Sequence, residues 1–81
     1  MGAFWSVAKG SVEPPRMVEM IYEGEGASAE NTFCLVGKGV TFDSGGISIK
    51  PSASMGDMRA DMGGAAVTLA AMRYTIIILY C

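Results

Sequence analysis

One stretch, residues 35–50 (LVGKGVTFDSGGISIK), limits what this chain can become. Val36, Val40, Phe42, Ile47 and Ile49 give it the texture of core strands, yet Lys38, Asp43 and Lys50 interrupt it. Gly37, Gly39, Gly45 and Gly46 let the backbone bend, or approach a neighbour closely. Asp61 then follows inside a second polar knot, residues 59–64 (RADMGG), just ahead of an Ala-rich helical pattern. Two carboxylates and two lysines in apolar, glycine-rich surroundings mark a site rather than a surface.

The rest of the chain arranges itself around that stretch. Residues 1–10 suit a short helical turn, and Pro14-Pro15 forces extended or turn geometry after it. Residues 17–22 read as a first strand, although Glu19 breaks its alternation. Residues 24–32 form a polar loop. Residues 33–41 read as a second strand, apolar enough at its start to be buried on both faces. Residues 43–46 make a turn, and residues 47–50 a short extended piece that Pro51 stops. Ser54 and Asp57 have capping-box spacing, which predicts one helical turn over residues 55–59. A helix is expected to start near Asp61, whose carboxylate could accept from its free amides. Ala65, Leu69 and Met72 keep helical spacing, with Ala66 beside them. Residues 75–80 are β-branched and uncharged, so they could continue a buried helix or form a strand. The fold class expected is α/β, a partial sheet with a flanking helix.

Composition narrows the function. The chain has 81 residues, 51% of them hydrophobic and 17% charged, which excludes disorder and fits at most one small domain. A domain of this size buries only about 60% of its unfolded surface, and 11 glycines thin the margin further. The net charge is −2 and the cations are scattered singly, so no basic stripe exists for nucleic acid. The N-terminus lacks the pattern of a secretory signal. Residues 1–6 (MGAFWS) match a myristoylation pattern in form only. Residues 75–81 fall far short of the ~20 needed for a membrane span. Cys34 and Cys81 are too few for a disulfide framework or a thiolate zinc site, and Cys34 reads as a buried reduced thiol. With no histidine in the chain, any metal must use carboxylates, backbone oxygens or a neutral amine.

The polar residues each admit two readings. Asp43 and Asp61, on a strand-end turn and a helix start, could share a hard or borderline divalent ion. Lys38 with Asp43 could equally be a structural ion pair. An ammonium flanked by glycines must be paired, solvated or deprotonated, and a neutral lysine can ligate metal. Lys50 could polarise a carbonyl or stabilise a developing oxyanion, or it could be a solvated strand end. Asp61 could be an N-cap alone. Met55, Met58 and Met62 could line a pocket or fill a core. Gly37-Lys38-Gly39 is no phosphate loop, because the pattern needs glycine at Thr32 and a hydroxyl residue at Gly39.

Taken together, residues 36–50 and 58–66 resemble the leucine aminopeptidase family, the cytosolic dizinc exopeptidases, with that family's spacing between Lys38, Asp43, Lys50 and Asp61. Residues 1–11, Pro14-Pro15 and residues 17–22 also look like the family's internal sequence, so the resemblance covers residues 1–73. It implies that Lys38 ligates one zinc, that Asp43 bridges two, and that Asp61 completes part of the first shell. Lys50 would be the catalytic lysine that holds the scissile carbonyl oxygen, and Met58 would line the substrate side-chain pocket. Asp43, Lys50 and Asp61 would thereby also contact substrate. The implied substrate is a peptide with a free N-terminus, the cofactors two divalent ions (zinc or manganese), the assembly a hexamer, and the location the cytoplasm. Neither nucleic acid nor membrane is expected as a partner.

Residues 1–81 are accordingly expected to be a partial catalytic domain, truncated at both ends, with a divergent tail at residues 74–81. The family's second ligand segment, of Asn-Thr-Asp-Ala-Glu-Gly-Arg type, does not occur in these 81 residues. Weak or absent hydrolysis by the isolated chain follows. The alternatives are a non-catalytic chain that associates with a full-length homologue, and an unrelated module holding one metal ion.

Overall fold

Helices and 3₁₀ turns are the regular structure of the described residues. The computed structural model describes residues 1–79, and their regular elements are α1 (Gly2–Ala8), a 3₁₀ turn (Ala29–Asn31), α2 (Ser52–Met55), a second 3₁₀ turn (Gly56–Ala60) and α3 (Gly63–Leu79). In α1, Ser6 Oγ donates to the Ala3 carbonyl at 2.8 Å and the Lys9 amide closes on Trp5 O at 2.9 Å. Gly10 and then Pro14-Pro15 prevent its extension. The proline at residue 51 precedes α2, where a missing N–H costs nothing because the first amides of a helix are unpaired in any case.

α3 is longer than α1 and α2 together. Alanines at 65, 66, 70 and 71 give it strong intrinsic propensity. Its two threonines are reconciled to the helix by bonding backward, Thr68 Oγ1 to Gly64 O and Thr75 Oγ1 to Ala71 O, both at 3.0 Å. The β-branched residues 75–78 therefore continue the helix rather than forming a strand, while Tyr80 and Cys81, in the tail, lie outside the described residues.

The expected partial sheet is not there: no strand occurs among the described residues. Residues 17–22, 33–41 and 47–50 carry strand-like sequence, but a ladder needs a second strand about 4.8 Å away, and no backbone hydrogen bond joins these segments to one another. The α/β expectation is corrected accordingly. Burial on both faces of residues 33–41 fails too, since Phe33 is 94% and Val36 90% exposed. Cys34 is an exposed free thiol, not a buried one. Ser54 caps nothing; it lies inside α2, and no side-chain cap bond forms at either α2 or the following 3₁₀ turn.

No hydrophobic side chain among the described residues is fully withdrawn from water. The chain exposes 7393 Å², where a compact chain of this length would expose about 4,700 Å². Its radius of gyration is 16.7 Å, against about 12 Å for a compact fold. Order rests on local helix formation and on the contact that carries the site. Leu69→Pro, in the middle of α3, should therefore cost about 3 kcal/mol of helix stability and remove most of the helical signal. Circular dichroism at 222 nm checks this, and retention of the wild-type signal would contradict it.

Candidate active site

The site begins with a turn. Gly45 and Gly46 both hold positive φ, +93° and +76°, a conformation that L side chains rarely adopt. This reverses the chain after Asp43 and brings residue 50 back, so that the Lys50 amide donates to Ser44 O at 2.8 Å. Asp43 Oδ1 accepts from the Gly45 amide at 2.8 Å, the side-chain bond that residues of this type make to their own turn. Its other oxygen, Oδ2, lies 2.7 Å from Lys50 Nζ, and that ammonium also donates to the Asp43 carbonyl at 3.3 Å. Lys50 is thus wrapped onto the residue that starts its own turn.

The second half of the site links distant segments. Lys38 Nζ meets Asp61 Oδ2 at 2.6 Å, and the Lys38 carbonyl accepts from the Ala65 amide at 2.9 Å. Asp61 ends the second 3₁₀ turn and Ala65 lies in the first turn of α3. The ion pairs are therefore Lys38–Asp61 and Lys50–Asp43, not the Lys38–Asp43 pair that sequence proximity suggested. Asp61 does not act as the expected cap of α3; its carboxylate takes the Lys38 ammonium. Met58 is half-buried in the 3₁₀ turn, three residues before Asp61.

The two pairs lie within electrostatic reach of each other. The Asp43 carboxyl is held below the usual carboxylate range, first by its hydrogen bond from Lys50 and then by the Gly45 amide. Desolvation opposes this, while the charges of Lys50 and of Lys38 add to it. Because the folded value is depressed, the ionised form favours the folded turn above the ordinary carboxylate value. That contribution disappears as pH falls through the lowered one.

Lys38 Nζ and the oxygens of Asp43 and Asp61 are donors of the right chemistry for a borderline or hard cation. Their number is the difficulty. Among the described residues no three His, Cys, Asp or Glu side chains converge on a common point, whereas zinc takes about four ligands. The residues present fit part of one ion's shell and do not fit two complete ones. Sequence reasoning marked these polar residues but missed the backbone groups that serve them, the Gly45 and Ala65 amides. The glycine pairs at 45–46 and 63–64 were the available signal.

The site thus consists of two lysine–carboxylate pairs, one on a glycine turn and one beside a helix start. The family model for the cytosol aminopeptidase family, catalytic domain, matches residues 1–78. The chain is 60% identical over 72 residues to the cytosol aminopeptidase of Dictyostelium discoideum and 58% identical over 72 to that of Bos taurus. It is 56% identical over 73 residues to a probable cytosol aminopeptidase of Acidobacterium capsulatum. These alignments cover 89–90% of this chain and 14% of each relative, so the chain spans about a seventh of their length. No solved structure matches it. The chain belongs to the cytosol aminopeptidase family, a family of peptide hydrolases. No helix among the described residues is long and apolar enough to cross a membrane.

Carbon-detected NMR should place the Asp43 titration midpoint below the ordinary carboxylate range, and Lys50→Met should raise it. An unchanged midpoint in that variant would show that Lys50 is not the main cause.

Proposed function

We propose that the chain is a section of the catalytic domain of a metal-dependent aminopeptidase that removes N-terminal residues from peptides. The observation that carries this is the pairing of Lys38 with Asp61 and of Lys50 with Asp43, in a chain whose relatives are named cytosol aminopeptidases. Lys38, Asp43 and Asp61 would hold divalent ions, zinc or manganese, and when bound these would supply Lewis-acid activation of the peptide carbonyl and of water. The remaining ligands are not among these 81 residues, so no catalytic step is routed through the ions.

The chain's own residues have definable tasks. The turn at residues 43–50 holds the Lys50 ammonium at a fixed place, where it can donate to a carbonyl oxygen that gains negative charge. Asp61 here holds the Lys38 ammonium and would give that place to a divalent ion, while the Lys50 ammonium keeps the Asp43 carbonyl as a second acceptor. Lys38 could then offer a neutral amine, the form that nearby positive charge favours. Met58, half-buried beside this region, would contact the side chain of the residue removed. The substrate is a peptide with a free N-terminus, the location the cytoplasm, and the complete domain a homo-oligomer of the hexameric family type.

A second reading is association without catalysis, in which the chain binds a full-length relative. The largely apolar groove between Met20 and α3, lined by Leu69, Met72, Arg73, Ile76 and Ile77, favours it. Two experiments separate the readings. The isolated chain should hydrolyse leucyl p-nitroanilide weakly or not at all. Residues 1–73 grafted over the matching segment of the Dictyostelium discoideum relative should restore turnover, and Lys50→Ala in that chimera should lower kcat by about 10²-fold or more. An unchanged kcat would remove Lys50 from the catalytic role. Co-purification of the isolated chain with the intact relative, without turnover, would favour association.

A further inference from the structure

Among the described residues, the two hydrogen bonds that join positions more than ten apart both come from Lys38: its ammonium to Asp61, and its carbonyl from Ala65. The side chain cannot hold this geometry alone, since the Lys38 side chain is 65% exposed and its pair with Asp61 faces water. The backbone around it is another matter. A Cβ on Gly37 would stand 2.6 Å from Thr68 Oγ1, 2.7 Å from Ala65 Cα and 2.7 Å from Gly64 O. From the other side, a Cβ on Gly64 would stand 3.1 Å from Lys38 N and 3.3 Å from Lys38 O. Two bare backbones touch here, one on each side of the Ala65–Lys38 bond. The neighbouring Gly63 has nothing within 4 Å of where its Cβ would be.

We propose that Gly37 and Gly64 are positioning residues: their side-chain-free contact seats the residue 38 loop on the first turn of α3 and so sets Lys38 against Asp61. The contact works because only four positions separate Asp61, at the end of the second 3₁₀ turn, from Ala65 in the first turn of α3. With the Lys38 carbonyl docked on the Ala65 amide, Asp61 lies within reach of the ammonium, 2.6 Å from it. Thr68 closes the contact by turning its hydroxyl onto Gly64 O. What Lys38 does when so placed rests on the aminopeptidase reading; the placement itself does not.

The test compares Gly37→Ala, Gly64→Ala and Gly63→Ala in the 81-residue chain, without metal, by NMR. The Asp61 carboxyl carbon reports the ion pair, with Lys38→Met supplying its position when the pair is absent. Amide exchange at Ala65 reports the docking. Gly37→Ala should shift the Asp61 carbon toward the Lys38→Met position and speed Ala65 exchange about tenfold, the loss of roughly one hydrogen bond. Gly64→Ala should shift the carbon the same way while helicity holds or rises, because alanine is the better helix former. That opposite movement excludes simple unfolding as the cause. Gly63→Ala should leave the Asp61 carbon where it is.

An Asp61 carbon unmoved in both Gly37→Ala and Gly64→Ala overturns the proposal, as does an equal movement in Gly63→Ala or an unprotected Ala65 amide in the wild type. Zinc titration by calorimetry judges the other reading separately. In the chimera with the Dictyostelium discoideum relative, a zinc affinity unchanged by Lys38→Met and Asp61→Asn counts against both as ligands, while the NMR comparison still decides the placement.

Discussion

The structure depends on one backbone hydrogen bond, from the Ala65 amide to the Lys38 carbonyl. It satisfies an amide that every helix start leaves open, and it joins the first turn of α3 to a segment far back in the chain. An exposed ion pair is worth at most about 1 kcal/mol, so the Lys38–Asp61 pair follows from this docking more than it creates it. The remaining backbone hydrogen bonds between elements are local turns and caps. Remove the docking and Asp61 and Lys38 have no other reason to meet.

The two ion pairs are built by opposite strategies. Lys50 and Asp43 are seven residues apart, and a turn with two glycines at positive φ closes the distance locally. Lys38 and Asp61 are drawn together across the intervening sequence by contact with a helix. The first half of the site can therefore form within its own segment, whereas the second requires α3. Each carboxylate thus has its own lysine.

Much of the site could be read in the sequence, and less of the fold. The polar interruptions at 38, 43, 50 and 61 stood out because charged groups are costly in apolar stretches, and the glycines beside them implied turns and close approach. The pairing could not be read, because the Lys38–Asp61 contact is decided by α3 and not by proximity along the chain. The strands were misjudged for a related reason. Alternation and apolar runs report what a segment would bury if it had a partner, and residues 17–22 and 33–41 have none within the described residues. Cys34 followed the same error: an apolar neighbourhood in sequence became an exposed one in space. For residues 75–78, where helix and strand were both open, the helix begun at Gly63 carries the β-branched side chains along with it.

The absence of a withdrawn core among the described residues has a thermodynamic counterpart. The slope of a denaturant titration scales with the surface that unfolding newly exposes, and the heat-capacity step scales with the apolar part of it. A chain that already presents most of its apolar side chains to water has little left to reveal. Its denaturant slope should be shallow, its calorimetric step small, and its melting gradual. A single melting temperature does not describe such a chain, because the all-or-none transition that gives that quantity meaning requires a shared interior.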